Sequence, residues 1–162
     1  MMRLTPRTRL ALPLALVVTV AACGGEGGGA TAPDPAARSL VVAEMVLVDG
    51  AGNMMYSHRD HWHGFPVVAA GQPLALEQYF VARSSGADDH EPPPRGDWFT
   101  LAAHADADLR VVVTDTAVGR WSGDKVRGTL EGRRAGASVL TYVVRRGATT
   151  LKEVPPLNFV VR

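Results

Sequence analysis

Beyond about residue 38 the apolar residues recur with period two, in short runs closed by glycine, proline, asparagine or aspartate. That alternation is the mark of half-buried strands. Residues 39–49 read as a strongly apolar first strand, and Gly50-Ala51-Gly52-Asn53 turns the chain back through Met54 and Tyr56. After the turn Gly71-Gln72-Pro73, residues 74–82 alternate through Leu74, Leu76 and then Tyr79 or Phe80. Leu109-Val111-Val113, Val139-Thr141-Val143 and Leu157-Phe159-Val161 give three more apolar faces. No stretch carries a helical stripe of adequate length, so the pattern predicts an all-β domain of about seven strands in two packed antiparallel sheets.

The first 37 residues have a different character. Arg3, Arg7 and Arg9 precede an apolar run over residues 10–20, and two alanines then lead to Cys23, the single cysteine. This is the layout of an export signal with a small-residue cleavage site. Val20-Ala21-Ala22-Cys23 resembles the bacterial lipobox, which implies a lipoprotein signal at 1–22, acylation of Cys23 and anchoring in the lipid bilayer of the cell envelope. Gly24 in place of an aspartate implies the outer membrane in a double-membrane bacterium. The apolar run is too short for a spanning helix and is interrupted by Pro13, whereas acyl chains bind at about 0.8 kcal/mol per buried methylene. Residues 23–37 are rich in glycine and proline and read as a flexible tether, leaving 38–162 as one domain of ordinary size. With one cysteine no intrachain disulfide forms, and the core alone must hold the domain.

Gly128-Thr129-Leu130-Glu131-Gly132, running on through Gly136 to Thr141, resembles the closing segment of bacterial Ig-like domains of the group 2 type, where a glycine-bounded hairpin enters the last core strands. Residues 118–121 stand where that family places a short valine-bearing strand, and residues 67–80 are similar to its opening glycine-then-strand segment. The resemblance implies an Ig-like antiparallel β-sandwich and, as function, a structural or adhesive module whose partner is an envelope protein or polysaccharide. The insertion at 84–97 and the histidine-rich segment before Phe65 depart from the family pattern.

That segment, Met54-Met55-Tyr56-Ser57-His58-Arg59-Asp60-His61-Trp62-His63-Gly64, holds three of the five histidines within six residues. On an extended chain His61 and His63 share a face and Trp62 points the other way, into the core. Two imidazoles at this spacing can close on one ion at about 2.0–2.1 Å. His58 lies an odd number of residues from both and faces away unless a bend at Arg59-Asp60 brings it round. Asp60, His104 and, with less reason, His90 are the other candidate ligands. Imidazole and carboxylate suit zinc, while Met54 and Met55 would add the soft character that cuprous copper prefers. The alternative is that the histidines decorate an exposed loop.

Asp88-Asp89-His90-Glu91 followed by Pro92-Pro93-Pro94 reads as a solvated insertion, since the prolines exclude a central strand and the carboxylate spacing matches no calcium loop. No glycine-flanked nucleophilic serine, phosphate loop or thiol free after acylation is present, so no enzyme is expected. Removing the three leader arginines turns the net charge of +1 into a deficit of about two. Without a basic stripe or stacking platform, nucleic acid is not an expected partner.

Overall fold

The alternation folds as two sheets packed face to face. The structure, a computed structural model, describes residues 39–84 and 91–162. The leader, Cys23, the tether and most of the acidic run, including His90, lie outside the described residues. The strands are β1 (Glu44–Asp49), β2 (Met54–His58), β3 (His61–His63), β4 (Val67–Val68), β5 (Pro73–Val81), β6 (Trp98–Phe99), β7 (Ala107–Val113), β8 (Gly119–Gly123), β9 (Arg127–Gly132), β10 (Gly136–Arg146), β11 (Thr149–Glu153) and β12 (Leu157–Val161). Short 3-10 turns at Arg95–Asp97 and Leu101–Ala103 flank β6. The first sheet runs β3-β2-β1-β5-β9-β8 with β6 beside β5, and the second runs β11-β10-β12-β4 with β7 on the other edge of β10.

The chain is thus an all-β sandwich, as its periodicity predicts. The described residues form twelve strands rather than about seven, in part because β4 and β6 are two-residue pieces too short for alternation to reveal. Pairing is antiparallel except between β4 and β12, which are parallel. Two details differ from the sequence reading. The link from Gly132 to Gly136 is not a hairpin: Gly132 pairs with Gly119 in the first sheet, whereas Gly136 pairs with Val161 in the second, so the link carries the chain across the sandwich. On β10 the core face is Leu140, Tyr142 and Val144, and Val139-Thr141-Val143 is the half-buried outer face. Both parities of that strand are apolar, and the bulkier set goes inside.

Met45, Leu47, Leu76, Phe80 and Leu130 of the first sheet meet Leu140, Tyr142, Leu157 and Phe159 of the second in one buried cluster. Tyr142 stands between two indoles, 6.3 Å from Trp62 and 5.7 Å from Trp121 by ring centroids. Trp121 lies flat over Gly128, where a Cβ would come within 1.8 Å of the ring, so glycine is required there.

A second, smaller cluster of Val46, Tyr56 and Val81 is buried on the opposite side of the first sheet, with Tyr79 and Trp98 packed against it. Trp98 is held by its indole N–H donating to Pro93 O at 2.9 Å, and the Arg95 guanidinium lies 5.3 Å over the ring. The outer face of β1, β2 and β5 is therefore partly covered. Its uncovered margin is β3, the edge strand.

Candidate metal-binding site

A tight turn at Arg59-Asp60 joins β2 to β3, with Arg59 in the left-handed region at φ 51°. The turn sets His58 opposite His61 and Tyr56 opposite His63. Directly opposed residues on antiparallel strands project from the same face. The bend at Arg59-Asp60 does bring His58 round, and all three histidines stand on the outer face. Trp62 takes the inner face, as its parity predicts, and its indole N–H donates to Pro155 O at 2.6 Å. That bond and the contact with Tyr142 pin β3 to the sandwich.

Two rows of side chains cross the sheet here. Val46 pairs with Tyr56 on β2 and with Tyr79 on β5, and Tyr56 stacks on the His63 ring at 4.6 Å with 12° between planes. One row away, Glu44 pairs with Val81 and its carboxylate meets His58, which opposes His61. Glu44 reaches this face because the alternation changes phase within the first strand. Leu40 and Val42 belong to the core, as do Met45 and Leu47, so the parity switches between Val42 and Met45. The regular strand accordingly begins at Glu44 rather than at residue 39.

His61 and His63 converge, with their Nε2 atoms 3.0 Å apart and ring centroids 4.8 Å apart. Nitrogens bound to one tetrahedral ion at 2.0–2.1 Å stand about 3.3 Å apart, so little movement separates this pair from a chelate. Asp60 Oδ1 lies 3.2 Å from His61 Nδ1. A carboxylate only accepts, so in the neutral ring the His61 proton sits on Nδ1 and Nε2 can accept from His63 Nε2–H. The hydrogen bond with His61 is the main reason the Asp60 carboxyl titrates below the ordinary range. The His61 side chain is 45% exposed and Asp60 94% exposed. His61 also borders a cleft of about 320 Å³ shared with Phe65 and Pro156, so the pair is reachable from solvent.

His58 is different, being 1% exposed, as is Glu44. Its Nδ1 lies 3.1 Å from Glu44 Oε1, yet neither ring nitrogen has a hydrogen-bond partner, and Glu44 Oε2 has none either. Glu44 Oε1 accepts from the Ser84 hydroxyl. The His58 and His61 rings meet edge to face at 6.1 Å. Among the described residues no group of three or more His, Cys, Asp or Glu side chains is already disposed to hold a metal ion.

His104 does not join the cluster. Its ring packs edge-on against Phe99, which belongs to the core between the sheets, and thus lies on the other side of the first sheet from the three histidines. Met55 is buried in the core, and Met54 packs at the margin of the outer-face cluster, one row beyond Tyr56. Glu44 escaped the sequence reading, although a carboxylate inside the apolar run Leu40–Val48 was a visible signal. A larger cleft of about 790 Å³ lies elsewhere, near Asp49, Glu77, Asp124 and Arg127. Asp49 and Asp124 there already accept N–H bonds from their own turns, and Glu77 accepts from the Tyr79 hydroxyl.

Fold and site together define a β-sandwich with a histidine cluster on one edge strand. No family model matches the chain, and no curated protein matches it. Among solved structures it is similar to the S-layer protein SbsC, domains 4 and 5, with 18% identity and a TM-score of 0.37, over 61% of this chain and 47% of that one. The chain therefore spans about half the length of that structure. Among the described residues no helix is long and apolar enough to cross a membrane.

Proposed function

We propose that this protein is a lipid-anchored envelope lipoprotein whose Ig-like sandwich captures a transition metal, zinc or copper, through His61 and His63. The convergence of their Nε2 atoms to 3.0 Å on an exposed edge strand carries the reading. The lipobox-like sequence ending at Cys23 supports the anchored location, and the glycine-rich segment after it supports a domain held away from the lipid. The role we assign to the pair is metal binding, as buffer, carrier or sensor.

Thermal unfolding of the protein, purified without a histidine tag, tests this with zinc, with cupric ion and with chelator. Metal at a hundredfold excess over its dissociation constant stabilises by about 2.7 kcal/mol, roughly 10 °C in midpoint for a domain of this size. The double substitution His61→Ala/His63→Ala removes that rise. Identical curves under all conditions favour the second reading, a non-enzymatic module that binds an envelope protein or polysaccharide. That second reading is supported by the fact that no three-ligand group is already in place among the described residues.

A further inference from the structure

The structure points to a third ligand and to the residue that positions it: we propose that His58 completes a three-imidazole zinc site with His61 and His63, and that the buried Glu44 carboxylate orients His58 for this task. The inference rests on the proposed metal reading and deepens it. It selects zinc over cuprous copper, names a ligand held inside the fold, and assigns a role to a carboxylate outside the histidine segment.

A buried polar atom without a partner is costly, and Glu44 Oε2 and His58 Nε2 are two such atoms. Neither residue belongs to the core between the sheets. Unsatisfied groups of this kind point to a role beyond packing. A ligating histidine commonly has its second nitrogen on a carboxylate, which fixes the tautomer and raises the basicity of the donor atom. Two histidines here share that arrangement. His61 has Nδ1 on Asp60 and Nε2 toward His63. His58 has Nδ1 in ion-pair contact with Glu44 Oε1 at 3.1 Å, and its partnerless Nε2 is the atom left to bind a metal.

Distances decide whether the third ring can join. Imidazoles sharing a tetrahedral ion have centroids about 5 Å apart. His61 and His63 are at 4.8 Å, and His58 and His61 at 6.1 Å. An approach of about 1 Å gives His58 and His61 the spacing that His61 and His63 already have, and because His58 sits directly opposite His61 across the hairpin this asks for no change of register. Met55 is in the core and Met54 pairs with Val48, one row beyond Tyr56, whereas His58 and His61 stand one row to the other side, so the donors proposed here are imidazoles alone, which suit zinc. Three such ligands leave a fourth tetrahedral position for water or an added anion.

The test uses the full chain, with zinc titrated calorimetrically and cobalt(II) as spectroscopic probe, on the wild type, Glu44→Gln, His58→Gln and His61→Ala/His63→Ala. The wild type is expected to bind one ion per chain, and the double variant none. His58→Gln should weaken zinc binding and replace the intense bands of four-coordinate cobalt by the weak bands of a higher-coordinate ion. Glu44→Gln should lower affinity about 10–100-fold while keeping the four-coordinate spectrum, since the ligand set is intact. An unchanged affinity in Glu44→Gln overturns its positioning role. An unchanged affinity and spectrum in His58→Gln overturns the triad and leaves the pair standing. A wild type that binds no zinc removes the metal reading itself. Should His58→Gln fail to fold, the cobalt-loaded wild type still decides: three paramagnetically shifted ring N–H signals support the triad, and two refute it.

Discussion

Replacing Tyr142 by Phe should make this protein more stable, against the usual direction of core substitutions. The Tyr142 ring is fully buried between Trp62 and Trp121, yet its hydroxyl has no hydrogen-bond partner. Burial alone pushes its ionisation far above that of a free phenol. Deleting the hydroxyl removes a desolvation cost of about 1–3 kcal/mol. Against this stands the loss of a few dispersion contacts at about 0.1–0.2 kcal/mol each. The net expectation is a gain of about 1 kcal/mol, or roughly 4 °C in the thermal midpoint. Urea unfolding with an unchanged m-value should show the same gain, and near-ultraviolet circular dichroism should show both indoles still packed. A loss of 1 kcal/mol or more would refute the reasoning, because it would mean that the hydroxyl is satisfied in solution by a trapped water.

Two other outcomes are expected. Trp62→Ala removes both the indole bond to Pro155 and the contact with Tyr142. It should cost about 3 kcal/mol in chemical unfolding and, by freeing the edge strand, weaken zinc binding even though every histidine remains; retained affinity would show that β3 does not need this anchor. Asp124 is held below the ordinary carboxylate range chiefly by the backbone N–H of Arg127 and then that of Val126. Its stabilising effect is therefore present above the unfolded value of about 3.9 and is lost as pH falls through the lower folded value. Asp124→Asn should flatten the stability-against-pH curve below about pH 4, and an unaltered acid limb would contradict that assignment.

What the sequence discloses about the site depends on which residues parity alone can place. His61, Trp62 and His63 follow from period two, because one apolar indole between two imidazoles fixes which side faces the core. His58 needs the length of the turn as well, and the turn forms at Arg59, a residue with no special preference for positive φ. Glu44 needs the phase change between Val42 and Met45, and the flanking residues are apolar on both parities, so apart from the carboxylate itself nothing local marks the switch. The same ambiguity hides the true core face of β10. His104 could not be excluded from the chain alone, since only the packing of Phe99 shows on which side of the sheet its ring lies.

The core and the histidine cluster are not independent features of this hairpin. On a strand a slip of one residue exchanges the two faces completely. Such a slip in β3 would turn Trp62 out to solvent and drive His61 and His63 in against Tyr142. The register that satisfies the core is therefore also the one that gathers the imidazoles, and the energy that enforces it comes from the indole and its bond to Pro155. The edge position completes the logic. A central strand would bury both rows, whereas β3 pairs on one side with β2 and leaves its histidines at the margin, where an ion can arrive without the sandwich opening. The inner member of the row, His58 beside Glu44, is covered. The cluster thus grades from an exposed pair that can make first contact with a metal to a buried imidazole that can hold it.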